Sequence, residues 1–284
     1  MTSDKIPTDF AAKALQFKKF GDSLAKLVRL YQNLSHDRTT NYFKMLSILG
    51  KIEAAYAQAE NNLVSSKFAQ WLSEEKSRLD EVKGALVYDF GRLLAEHLSK
   101  TGVRLEGNFP EFRVKMFLLD ANVQNAKCQL WYGYKEEFLN STPFDPVSAQ
   151  KTIAYAYNRV AKHDFDSSRF IERLYKAYEA VARKQQKQIG DDVGIIATLV
   201  ELNFQRQDQK FLANPRKSTF QEYPREFFSY DLFRLKQREI NDLTLSLGIA
   251  SREQNRSRES YLWIPSDESL QGNVYSQLSF RRIK

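Results

Sequence analysis

The sequence predicts an α+β protein, mainly α, from three observations. Its first hundred residues place apolar side chains at alternating steps of three and four. A stretch near residue 115 and the last forty residues alternate apolar and polar with period two. Between these two regions the helical period returns. Steps of three and four average about 3.5, which keeps one narrow stripe on one face of a helix and buries it against another helix. Period two sends successive side chains to opposite faces of a strand. The expected organisation is a coiled-coil-like arm of long helices over residues 1–102 and an α+β body over 103–284.

The first helix reads Phe10, Lys13, Phe17, Phe20, Leu24, Leu27, Tyr31, Leu34, and only Lys13 is not apolar. The second reads Tyr42, Met45, Leu49, Ile52, Tyr56, Ala59, Leu63. The third reads Phe68, Leu72, Glu75, Leu79, Val82, Leu86, Asp89, Leu93, with two acids, Glu75 and Asp89, on the seam. Thr8 is placed to cap the first helix, "LSHD" separates it from the second, and a serine in "VSS" caps the third. Gly102 follows the last periodic residues, where helices end. The third helix spans ~50 Å at about 1.5 Å per residue. Short connections make the three antiparallel neighbours, hence an antiparallel three-helix bundle.

An inserted β-hairpin follows over 111–134. "EFRVKMFLLD" puts Phe112, Val114, Met116 and Leu118 on one face, "ANVQN" makes a loop, and "AKCQLWYGY" returns through Cys128, Leu130 and Tyr132. A second helical region covers 146–240, carrying Ile153, Tyr157 and Val160, then Phe170, Leu174, Tyr178 and Val181, then Ile195, Leu199 and Phe204. "YPREFFSYDLFRLKQ" is helical after Pro224. The strands "LTLSLGIAS", "YLWIP" and "NVYSQLSFRRI" predict a C-terminal three-stranded antiparallel β-meander over 243–283.

Composition narrows the function classes. Lysine and arginine number 43 against 35 acids, a net charge of +8, which permits contact with nucleic acid without requiring it. The single cysteine excludes an intrachain disulfide, a four-thiolate zinc site and a C-x-x-C redox pair. The N-terminus has no basic-then-apolar leader, and no apolar run reaches the ~18 residues of a membrane span, so a cytoplasmic protein without a membrane partner is expected. No G-x4-G-K-[ST], G-x-G-x-x-G or G-x-S-x-G occurs. His36 and His163 each precede an aspartate at a helix junction, which suits capping, and no H-x3-H or H-E-x-x-H pair exists. We expect no metal and no cofactor.

One spacing carries a family signature. In "DFGRLLAEHLSKTG", Arg92 is followed five positions later by His97. This resembles the R-x4-6-H signature of HEPN ribonucleases, and the resemblance implies RNA cleavage by that pair across a helical dimer. The chain departs from the pattern at Leu93, where that family carries a polar residue. Five residues along a helix turn ~500°, so the two side chains stand ~140° apart. His97 is also placed to meet the negative end of a helix dipole.

Two further groups suggest binding. Arg252, Arg256 and Arg258 lie in one loop between strands, beside Tyr261 and Trp263, and the chain ends in Arg281, Arg282 and Lys284. Arginines beside aromatics grip phosphates and stack on bases, which points to nucleic-acid binding. Phe112, Trp131, Tyr132, Tyr134, Phe227 and Phe228 are aromatic anchors of the kind that protein interfaces use. The reading that joins these observations is a non-enzymatic adaptor or structural subunit of a multiprotein complex. By general analogy that complex is a bacterial nucleic-acid-associated or antiviral-defence assembly, with an ATPase or nuclease subunit as partner. The alternatives are a stand-alone nucleic-acid-binding protein using the C-terminal arginines, and a HEPN-like ribonuclease using Arg92 and His97.

Overall fold

The structure is a computed structural model that describes residues 8–58 and 66–282. The chain divides into two compact units, Met1–Arg92 with the turn Val123–Ala126, and Leu93–Asn122 with Lys127–Lys284.

In the first unit, α1 (Thr8–Leu34) and α2 (Arg38–Gln58) are joined by one 3-10 turn, Ser35–Asp37. Two polar side chains close it. Asp37 Oδ1 accepts the Thr40 backbone N–H at 3.0 Å and caps α2. Asn41 Nδ2 donates to the Leu34 carbonyl at 3.1 Å, which satisfies the end of α1. The stripe of α2 is buried at Tyr42, Met45, Leu49 and Ile52, and meets Leu72 and Leu79 of α3 (Ser66–Ser99) in the core. Rings join α3 to both other helices. Trp71 meets Tyr31 edge-on at 5.7 Å, and Phe68 lies 5.6 Å from Tyr56. The side chains of Thr8 and Phe10, the residues Ala59 and Leu63, and the serine cap of α3 lie outside the described residues.

The second unit holds two antiparallel sheets with helices against them. The first sheet runs in chain order through β1 (Glu106–Asn108), β2 (Glu111–Val114), β3 (Phe117–Asn122), β4 (Lys127–Tyr132) and β5 (Glu137–Pro143). Next come α4 (Pro146–Ala161) and α5 (Ser167–Lys184), capped by Asp145 and Asp166, whose carboxylates accept the N–H groups of Ser148 and Arg169. The chain continues through β6 (Val193–Gly194), α6 (Ile195–Gln205), α7 (Gln209–Ala213), α8 (Arg225–Arg234), β7 (Glu239–Ile240), β8 (Leu243–Ile249), β9 (Leu262–Pro265) and β10 (Gly272–Arg282). The second sheet has the order β6-β10-β8-β7, and β9 also pairs with β10. Its core gathers Phe170, Leu174 and Tyr178 of α5, Leu199 of α6, Phe228 of α8 and Phe280 of β10.

Two expectations are corrected. The chain is α+β, but residues 111–134 form three strands of a five-stranded sheet, not an isolated hairpin. "EFRVKMFLLD" folds back on itself at Lys115, whose φ is 52°. Glycine, asparagine or aspartate normally marks such a position, and lysine gives no such signal. β5 escapes period-two reading because only Thr142 of its seven residues is buried. Nor is there a C-terminal three-stranded meander. A meander would place β9 between β8 and β10; instead β10 is central. Its 11 residues take β8 along one edge, and β9 followed by β6 along the other. β6 and β7, at two residues each, are too short to show a period.

Close packing ties β4 to β9. Tyr132 meets Trp263 edge-on at 5.1 Å. Ser229 donates to the Trp263 carbonyl at 2.5 Å and lies 3.0 Å from the Tyr132 hydroxyl. Gly272 is required beneath that ring, since a Cβ there would stand 2.6 Å from the indole. Cys128, in β4, is fully buried, and burial pushes its thiol up to about 12. Only a thiolate attacks alkylating reagents at an appreciable rate. Cys128 is therefore expected to resist iodoacetamide at mildly alkaline pH in the folded chain and to react fully in denaturant. Fast alkylation of the folded chain would contradict its burial.

Candidate docking and nucleic-acid surfaces

The stripe of α1 is covered at one end only. Tyr31 is buried, and Phe20, Leu24 and Leu27 are half-buried. On the stripe Phe17 remains 48% exposed, and off it Leu15 and Leu30 are 54% and 46% exposed. A soluble helix normally turns such a stripe into a core. The polar side of α1 is basic, with Lys18, Lys19, Lys26 and Arg29 against Asp22.

Below this stripe, one carboxylate binds all three helices. Glu75 of α3 is buried although it sits on the seam. It accepts the Tyr31 hydroxyl of α1 at 3.0 Å and the Arg38 guanidinium of α2 at 2.7 and 3.3 Å, and Arg78 completes the group. Burial favours the neutral acid, but Arg38 and Tyr31 outweigh it and hold the carboxyl below its usual range. Burial and then the same carboxylate push the Tyr31 phenol up to about 12.

Arg92 and His97 are not brought together. Arg92 is exposed and pairs with Asp89 at 3.2 Å, and His97 lies in the last turn of α3. Of the C-terminal group, Arg252, Arg256 and Arg282 are exposed. Arg258 binds Glu137 at 2.7 Å, beside Arg225, and Arg281 binds Asp192 at 2.8 Å. Tyr261 and Trp263 are buried, so their ring faces are occupied by the core. Lys284 lies outside the described residues. Among the aromatic anchors, Phe112, Tyr132 and Phe228 are buried, Trp131 and Phe227 are half-buried, and Tyr134 is exposed with its hydroxyl on Glu111 at 2.7 Å.

Sequence reading missed a charged cluster between α4 and α8. Asp231 is buried, pairs with Arg234 at 2.7 Å and His163 Nε2 at 2.9 Å, and accepts the Tyr223 hydroxyl at 2.6 Å. His163 stacks on Phe227 at 4.5 Å and donates Nδ1–H to the Val160 carbonyl at 2.8 Å. Burial, then Asp231, raises the Tyr223 phenol well above its usual value. Both imidazole nitrogens have protein partners, so the cluster holds the end of α4 to α8. In sequence, His163 stood out at a helix junction and Asp231 and Arg234 lie at i, i+3 spacing, but nothing joined them. Comparison with protein-family models, with curated proteins and with solved structures finds no match for the chain.

Proposed function

We propose that the chain is a non-enzymatic adaptor subunit of a larger assembly, and that α1 docks an acidic amphipathic helix of a partner protein. One observation supports this reading: α1 leaves Phe17 of its stripe exposed, with Leu15 and Leu30 exposed off the stripe, while the stripe of α2 is buried. A coiled-coil seam takes a helix as its complement. The net positive charge of α1 selects acidic flanks and disfavours a second copy of α1 itself.

A synthetic four-heptad helix with leucine at the seam and glutamate beside it is expected to bind the full chain with micromolar affinity, read by fluorescence anisotropy. Phe17→Glu, at an exposed site of the stripe, should weaken it by about tenfold or more. The same helix with lysine flanks should not bind. Equal binding of both helices, no binding, or a homodimer that closes this face in sedimentation would defeat the proposal.

A further inference from the structure

Three arginines of the second unit converge on one cleft without carboxylate partners. Arg169 and Arg173 stand one turn apart on α5, and Arg206 follows the last residue of α6. The cleft has a volume of about 240 Å³ and is also lined by Asp164, Asp166 and Asp231. Two of these acids are engaged elsewhere. Asp166 accepts the Arg169 backbone N–H at 3.0 Å, and Asp231 is held by Arg234, His163 and Tyr223. Asp164 is exposed at the rim. Among the described residues, none of the three guanidinium groups forms an ion pair. Arg206 lies over the Tyr223 ring at 4.2 Å, which fixes its plane.

Like charges one turn apart on a helix repel, and here a third is added from a neighbouring helix. Burial, then Arg206 and Arg169, hold Arg173 below its usual value. A fold that crowds positive charge in this way is relieved by an anion. Guanidinium groups offer forked donors that match the oxygens of a phosphate. We propose that this cleft binds a phosphate group, carried either by a nucleotide or by the end of a polynucleotide.

Thermal melting of the full chain at constant ionic strength tests it, with inorganic phosphate, pyrophosphate, AMP, and a short oligonucleotide with and without a 5′-phosphate as probes. Phosphate and pyrophosphate at millimolar concentration should raise Tm by about 2–5 °C over chloride. Arg173→Gln should abolish that rise while leaving the ligand-free Tm equal to or above that of the parent. Arg169→Gln, at an exposed side chain, should weaken the rise and serves as the second variant if Arg173→Gln does not fold. A larger shift with AMP than with phosphate identifies a nucleotide as the source. A shift that needs the 5′-phosphate of the oligonucleotide identifies a polynucleotide end. No shift with any probe, or a shift unchanged in the variants, overturns the proposal.

Discussion

Asp231→Ala is expected to destabilise the second unit by about 3–5 kcal/mol, because removing one partner of a buried ion pair leaves the others uncompensated. The Arg234 guanidinium and the Tyr223 hydroxyl would both lose their acceptor in a site with little water. The loss falls on the joint between α4 and α8, where Arg234 also donates to the His163 carbonyl at 3.3 Å. A drop of about 10 °C in the melting temperature of that unit follows. Asp231→Asn keeps an acceptor for Tyr223 and should lose about half as much. A melting temperature within about 2 °C of the parent for Asp231→Ala would show that the cluster does not hold α8.

Glu75→Ala should cost the first unit about 2–4 kcal/mol, since it strands Arg38, Arg78 and the Tyr31 hydroxyl together. The smaller figure reflects the partial exposure of Arg38 and Arg78. Glu75 also makes this unit acid-sensitive. Its carboxyl is held below the usual range in the fold, so its stabilisation is complete above the ordinary carboxyl value of about 4.3. That stabilisation is lost as pH falls through the lower, folded value. Far-ultraviolet circular dichroism in denaturant at pH 7 and pH 3 should show the loss for the parent and a smaller difference for Glu75→Gln. An equal pH dependence in both would remove Glu75 from this role.

The longer helices were readable because their period repeats, whereas the five residues of α7 are too few to show one. The 34 residues of α3 give many turns of signal, and the acid at Glu75 stood out against the stripe. The sheets were only partly readable. Lys115 and Lys135 take positive φ without being the residues that mark a turn, so two hairpins of the first sheet were hidden, whereas the β3–β4 loop at "ANVQN" was legible. The central position of β10 depends on pairing over long sequence separation, which no local period encodes. For the candidate surfaces, arginines and aromatics were visible, but burial was not. Tyr261 and Trp263 read as stacking platforms and lie in the core, whereas Arg169, Arg173 and Arg206, which no sequence pattern singles out, line one cleft.

Hydrogen exchange along α1, alone and with the glutamate-flanked helix, tests the docking of a partner helix most directly. The expected result is fast exchange of the amides from Leu15 to Leu30 in the isolated chain and clear slowing when that helix binds. Slow exchange of these amides in the isolated chain, or slowing confined to other segments on binding, would contradict it.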